Sequence, residues 1–140
     1  MAVVDADRVP AGGGVQRRCS AIPRSLEGGV VRRRDESLFG LATDATAVDR
    51  PDVLGQARQV AEHVGVEFVS NVQLRGAEDG RPLLMEINPR VPGTIGLSVA
   101  AGSNLPGVAL ALAAGKEAVL PPPRIGTRIV RYFAGTVLHA

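Results

Sequence analysis

The chain has very few aromatic residues and a single cysteine. Aromatics make up 3% of the 140 residues and tryptophan is absent, so the core must be built from Ala, Val, Leu and Ile. Cys19 has no partner for an internal disulfide, and a semi-buried thiol is its favoured interpretation. No apolar run approaches the ~18 residues of a membrane span, and no signal-like stretch follows Met1. We therefore expect a cytoplasmic protein without membrane contact.

Net charge is also small. Sixteen basic residues face 14 acidic ones, for a formal charge of +2, which is too little to indicate a nucleic-acid partner. Lys116 is the only lysine, so every other basic residue is arginine. The run Arg32, Arg33, Arg34 could contact phosphate, but a solvated edge after a strand is the favoured interpretation.

Length and patterning predict one domain or one lobe of a larger one. Short apolar runs separated by glycines, including Gly12 to Gly14, predict short strands with glycine turns in the first 35 residues. From Glu36 to Arg50 no period is evident, which predicts a surface loop. After that the pattern becomes helical, with apolar residues at i, i+4, i+7 and i+11 between Pro51 and Gly65: Val53, Ala57, Val60 and Val64.

A hairpin follows this helix. Asp79-Gly80 is a strong two-residue turn signal between two runs rich in β-formers. Counting outward from that turn pairs Gly76 with Leu83 and Leu74 with Met85. It also pairs Gln73 with Glu86, Val72 with Ile87, and Asn71 with Asn88. Side chains alternate between the faces of a strand, so one face carries Val72, Leu74, Met85 and Ile87 and the other Asn71, Gln73, Glu86 and Asn88.

The remainder predicts two short helices and a final strand. GLSVAAG and NLPGVALALAAGKE are alanine-rich and bounded by glycines, and Pro106 suits a first helical turn. Pro121 to Pro123 predict an extended segment, and TRIVRYFAGTVL predicts one strand with a second at the C-terminus.

The polar hairpin face is the strongest candidate site. Opposed residues have Cβ atoms roughly 5 Å apart and i, i+2 residues about 6.5 to 7 Å apart, so Gln73, Glu86 and Asn88 can aim three oxygens at one point. A carboxylate with two amide carbonyls suits Mg²⁺ or Mn²⁺ better than zinc. Arg90 can bind phosphate oxygens beside such a cation. An ordinary solvent-facing sheet surface explains the same pattern without any function.

The residues SNVQLRG, LLMEINPRVPGT and LSVAAGSNLP carry a resemblance to the C-terminal lobe of the ATP-grasp superfamily. The resemblance is closest to the group of the carbamoyl-phosphate synthetase large subunit. In that group a strand with Asn-Val-Gln is followed by a returning Glu-x-Asn-Pro-Arg. The match is specific between about Gly65 and Lys116 and diffuse before Val64.

The resemblance implies a fold, a reaction and a set of roles. The fold would be α+β, an antiparallel sheet covered by helices near 51–64 and 105–115. Gln73, Glu86 and Asn88 would hold the Mg²⁺ or Mn²⁺ ions that bridge ATP phosphates. Arg90 would stabilise the transferred phosphoryl group. The reaction would be activation of a small carboxylate substrate by ATP, followed by attack of an amine or another nucleophile, as in a ligase.

Departures from the family pattern set the limits of the resemblance. A complete ATP-grasp site has a preceding lobe with phosphate-binding lysines, and Lys116 lies beyond the motif. Residues 1–140 are therefore expected to form a partial domain, the metal-binding half, whose ATP lobe comes from a second chain or a longer gene product. Gly93 and Thr94 replace a more basic continuation of the synthetase, which favours a different acid substrate.

Two other classes of function stay open at this point. The chain could be a noncatalytic remnant or binding module that kept the half-fold without the reaction. It could also be a basic interaction domain that uses its arginines, in which case nucleic-acid binding would depend on salt and survive Glu86→Ala.

Overall fold

A computed structural model describes residues 2–7 as backbone, and residues 28–66 and 68–138 with side chains. Cys19 and the run Gly12 to Gly14 lie outside the described residues. The described elements, in chain order, are β1 (Ala2–Asp7), β2 (Gly29–Leu38), β3 (Leu41–Ala47), α1 (Pro51–Val64), β4 (Ser70–Gly76), β5 (Pro82–Asn88), α2 (Ile95–Ala100), α3 (Leu105–Ala113) and β6 (Arg128–Val130).

The strands form one six-stranded sheet in the order β5-β4-β1-β2-β3-β6. Pairing is antiparallel between β4 and β5, between β2 and β3, and between β3 and β6. The expected α+β class with antiparallel pairing and covering helices is confirmed. The centre of the sheet adds a feature that the hairpin signals did not predict, because β1 runs parallel to both β2 and β4.

Each face of the sheet packs against different helices. On one face α1 covers a cluster that includes Val31, Val72 and Leu74, with Ile87 packed at its margin. On the other face α2 and α3 cover a cluster that includes Val30 and Val69. The hairpin residues predicted to face the core therefore do so, except Met85, which is half exposed.

Helix α1 begins and ends as predicted. Pro51 occupies the first turn, and Gly65 ends the helix in the left-handed conformation at φ 72°. The N–H of Gly65 donates to Glu62 O at 3.1 Å and the N–H of Val66 donates to Ala61 O at 2.9 Å. This pair of bonds is a Schellman motif, which explains why glycine stands at this position. His63 lies exposed in the last turn, where it complements the helix dipole.

The β4–β5 hairpin differs from the prediction at its turn but agrees with it at the candidate site. Ala77 N donates to Arg81 O, and Gly80 N donates to Ala77 O. The loop is thus three residues long with Gly80 left-handed. Gly76 pairs with Pro82 and Leu74 with Leu84, so both predicted partners, Leu83 and Met85, are wrong.

A bulge then restores the predicted register. The pairing shifts by one residue between Gln73 and Leu74, where Met85 is the extra residue of β5. The loop is one residue longer than predicted and the bulge adds one residue to β5, so the two shifts in register cancel. Gln73 pairs with Glu86, Val72 with Ile87 and Asn71 with Asn88, as predicted.

The predicted loop from Glu36 to Arg50 is wrong. Those residues form the end of β2 and all of β3, joined by a tight turn at Phe39-Gly40. The buried positions of β3 are Ala42, Asp44, Ala45 and Ala47, so the alternation of buried and exposed residues breaks between Asp44 and Ala45. Three of these residues are alanines and one is an aspartate, so the strand has too little contrast in hydropathy to predict a period of two.

The C-terminal elements agree with the prediction in part. Helices α2 and α3 lie where the alanine-rich segments predicted them, and the Asn104 side chain caps α3 by accepting from Gly107 N at 3.0 Å. Strand β6 has only three residues, and no further strand follows it among the residues described up to 138. None of the helices in the described ranges is long and apolar enough to cross a membrane.

Candidate functional site

The centre of the candidate site is the rung between Gln73 on β4 and Glu86 on β5. Gln73 is 2% exposed, because β4 is an interior strand, whereas Glu86 on the edge strand is exposed. Directly opposed side chains on one face have Cβ atoms about 5 Å apart. The rung therefore joins a buried amide to a carboxylate that reaches solvent.

Asn88 belongs to the same group. Its Nδ2 donates to Glu86 Oε1 at 2.9 Å, and its side chain is half-buried where β5 ends. Because this bond uses the side-chain nitrogen of Asn88, it orients the Glu86 carboxylate and leaves the side-chain oxygen Oδ1 of Asn88 out of the bond. Gln73, Glu86 and Asn88, the three predicted ligands, thus lie together. We call them the carboxylate-amide clamp.

Arg90 follows the clamp after a tight turn. Arg90 N donates to Asn88 O at 2.8 Å across Pro89, a three-residue turn that suits the fixed φ of proline. The side chain is exposed, and its Nη1 makes one long bond of 3.4 Å to Val91 O. The guanidinium is therefore tied close to the end of β5 and keeps donors for another group.

Two buried amides, Gln73 in the clamp and Asn71 beside it, have hydrogen-bonding atoms without partners among the described residues. Among the described residues, neither Oδ1 nor Nδ2 of Asn71 has a partner, and neither has Oε1 of Gln73. Asn71 is fully buried and pairs with Asn88. Buried polar atoms without partners are costly, so each of them calls for a partner such as water, an ion or a ligand. Sequence reasoning placed Asn71 on this face but did not count it as a site residue.

The arginine run is the main correction to the sequence interpretation. Arg32 and Arg34 are 0% and 3% exposed, so the predicted solvated edge is wrong. Both arginines share a face of β2 with Val30, which packs in the cluster beneath α2 and α3. In the parallel register Arg32 is level with Asp5 and Arg34 with Asp7. The matched spacing of these two pairs is the signal that could have predicted their burial.

On the α1 face, an ion pair within β2 is joined to β3 by a threonine hydroxyl. Arg33 Nε donates to Asp35 at 2.6 Å, and Thr46 Oγ1 donates to the same carboxylate at 2.7 Å. Burial alone would raise the pKa of Asp35, but the hydrogen bonds from Arg33 and Thr46 outweigh it, and the pKa is lowered.

A second ion pair joins β3 to β6. Arg128 binds both carboxylate oxygens of Asp44, with one bond at 2.8 Å. Chiefly because of this hydrogen bonding, the pKa of Asp44 is lowered and that of Arg128 is raised. This ion pair links the edge strand β6 to the rest of the sheet.

The clamp fits a hard divalent cation. It offers one carboxylate and two amide oxygens, and the Gln73 oxygen is buried without a partner in the described part of the chain. Carboxylate and carbonyl oxygens suit Mg²⁺ and Mn²⁺, which keep several waters or phosphate oxygens. Within the described ranges no three His, Cys, Asp or Glu residues gather as metal ligands, so the oxygens of such a site would come largely from amides.

Comparison with known proteins bears on this site. A family model described as "ATP-grasp in the biosynthetic pathway with Ter operon" matches residues 19–135, which is most of the chain. No curated protein matches the sequence. Because the match covers most of the chain, the chain belongs to this ATP-grasp family. Its function is of the ATP-dependent ligase type, in a biosynthetic pathway.

Family membership confirms the coarser part of the resemblance. ATP-grasp proteins generally use ATP with Mg²⁺ or Mn²⁺ and act on a carboxylate substrate. The matched range contains the whole clamp and Arg90. The subgroup and the roles of individual residues are matters of proposal.

Proposed function

We propose that this chain is the metal- and phosphate-binding half of an ATP-grasp carboxylate ligase. The observation that carries the proposal is the rung between Gln73 and Glu86, with the Asn88 amide hydrogen-bonded to the Glu86 carboxylate. Three oxygen-bearing side chains then lie at one end of one sheet face. An exposed polar surface does not explain them, because Gln73 is buried and its oxygen has no partner among the described residues.

Each residue has a role that its chemistry supports. Gln73, Glu86 and Asn88 would hold Mg²⁺ or Mn²⁺, which supplies positive charge that neutralises ATP phosphate oxygens. Arg90 would donate to the transferred phosphoryl group, since its guanidinium fits phosphate oxygens bidentately. The carboxylate substrate attacks the γ-phosphorus of ATP, so that its acyl phosphate forms and ADP leaves. An amine or another nucleophile then displaces phosphate.

We place the chain nearest to the carbamoyl-phosphate synthetase type, as a C-terminal ATP-grasp lobe. The motif Asn71-Val72-Gln73 on β4 and Glu86 to Arg90 on the returning strand support this assignment. Lys116 is the only lysine, so the phosphate-binding lysines of a complete site must come from elsewhere. A second polypeptide that carries an ATP lobe is the partner we propose.

The decisive experiment is a Mn²⁺ titration of the 140-residue chain, followed by the electron paramagnetic resonance signal of free Mn²⁺. Glu86→Gln removes one charge and keeps the shape, so the Mn²⁺ dissociation constant should rise about tenfold or more. The matched control is Glu78→Gln, an exposed acid in the hairpin loop, which should leave Mn²⁺ binding unchanged.

Two results would contradict the proposal. One is Mn²⁺ binding that is absent or unaffected by Glu86→Gln, which favours a noncatalytic module. The other is a measurable ATP-dependent ligase rate from this chain alone, which would show that no second lobe is needed.

A further inference from the structure

A pocket lies immediately beyond the clamp. Its volume is about 420 Å³, in the lower part of the usual range for small-molecule sites. It is lined by the end of α1, the segment that leads into β4 and the turn after β5: Val64, Gly65, Val66, Phe68, Val69 and Pro89. None of these described lining residues has a charged or hydrogen-bonding side chain. A polar group would lose water there without a replacement partner, whereas an aliphatic or aromatic group would gain from burial.

The pocket is next to the proposed site along two stretches of the chain. Pro89 is bonded to Asn88 on one side and to Arg90 on the other. Val69 lies two residues before Asn71, the partner of Asn88, which is a step of about 7 Å along the strand. A carboxylate held beside Arg90 would therefore have its own substituent within reach of the pocket.

The walls of the pocket are held in place by fixed backbone. The Schellman motif at Gly65 sets the path of Val66. The turn at Pro89 is closed by the bond from Arg90 N to Asn88 O. Val69 is buried in the cluster beneath α3. Because these walls are built into the fold, the pocket exists before any ligand arrives.

We infer that this pocket receives the apolar side chain of the carboxylate substrate. The inference rests on the proposed function and narrows it. The acid activated by this enzyme carries a branched aliphatic or aromatic substituent, and its carboxylate lies beside Arg90 and the clamp. Among the described lining residues, no side chain would pair with the second carboxylate of a dicarboxylic acid or with a cationic side chain.

The test uses 3-phenylpropanoate as the apolar acid, glutarate as the dicarboxylate, and 3-phenylpropanol as the uncharged analogue. Binding to the chain in the presence of Mg²⁺ is followed by ¹H–¹³C methyl spectra, with Val64, Val66 and Val69 as reporters and exposed Val119 as reference. 3-Phenylpropanoate should shift the pocket methyls saturably and bind at least tenfold more tightly than glutarate.

Variants then locate the two ends of the ligand. Val66→Phe fills the pocket and should weaken 3-phenylpropanoate binding at least tenfold, while Val119→Phe should not. If Val66→Phe fails to fold, Val64→Phe replaces it, because Val64 is 58% exposed. Arg90→Ala should weaken binding of the acid but not of the alcohol.

The outcomes separate this inference from the proposed function. If the pocket methyls ignore 3-phenylpropanoate, respond equally to glutarate, or respond equally in Arg90→Ala, the inference is wrong. Mn²⁺ binding that still depends on Glu86 would leave the proposed function standing in each of these cases. If Mn²⁺ binding does not depend on Glu86, the proposed function fails, and the pocket loses its assignment to a ligase substrate as well.

Discussion

Asn88 and Glu86 are hydrogen-bonded to each other on the same strand, from Nδ2 to Oε1 at 2.9 Å. Residues two apart on a strand share a face but stand about 7 Å apart at Cβ, so both side chains lean together to make this bond. A carboxylate oriented in this way loses less freedom when a cation binds. At the proposed clamp, the edge strand would therefore hold this carboxylate in place before a cation binds.

The first prediction concerns that bond. Asn88→Ala removes both the donor to Glu86 and one proposed ligand oxygen, so the Mn²⁺ dissociation constant should rise at least tenfold. Asn104→Ala is the control, because Asn104 is also an amide but caps α3. It should cost about 1 kcal/mol of unfolding free energy and leave Mn²⁺ binding unchanged. Equal Mn²⁺ affinity in the two variants would remove Asn88 from the site.

The second prediction concerns Arg90. Its side chain is exposed and makes one long bond within the described residues, so it is available to an anion. Arg90→Ala should weaken tripolyphosphate binding in the presence of Mg²⁺ about tenfold, measured by calorimetry, because a hydrogen bond to a charged group is lost. The tripolyphosphate affinity of Arg90→Lys should lie between those of the wild type and Arg90→Ala, since lysine keeps the charge but not the bidentate geometry.

Arg81→Ala is the control for Arg90. Arg81 is paired with Asp79 in the loop at the opposite end of the hairpin. A similar loss of tripolyphosphate affinity in Arg81→Ala would indicate general electrostatic attraction rather than a site at Arg90.

The third prediction concerns acid stability through Asp35. Its pKa is lowered in the folded chain, so its stabilisation is fully present above the unfolded pKa of about 3.9 and is lost as the pH falls through the lower folded value. Asp35→Asn should therefore cost about 1 kcal/mol at about pH 7 and almost nothing at about pH 2. Urea unfolding at both pH values measures this, and a cost that stays constant with pH would contradict it.

The sequence predicted the pairing of the candidate site residues better than it predicted the sheet around them. Local signals in the sequence define the hairpin. A one-residue error in the predicted strand register would have put Gln73 and Glu86 on opposite faces of the sheet. The longer loop and the bulge at Met85 cancel between the turn and the clamp. The correct pairing at the site was thus obtained from a turn with the wrong length.

The centre of the sheet could not be predicted in the same way. Parallel pairing of β1 with β2 and β4 joins residues that are distant in the sequence, and no local pattern encodes such contacts. Arg32 and Arg34 resemble surface residues by type, because charged residues are seldom fully buried. They lie on the face of β2 that also carries Val30, and α2 and α3 cover that face.

The last prediction concerns the β2–β3 turn. Phe39 is 92% exposed and has φ +48°, and Gly40 follows at +76°. A tight turn with both residues left-handed favours Asn-Gly, because a bulky side chain is strained there. Phe39→Asn should therefore raise the free energy of unfolding by about 1 kcal/mol in urea, while Gly40→Ala should lower it. A loss of stability in Phe39→Asn would mean that the exposed ring makes contacts that stabilise the fold.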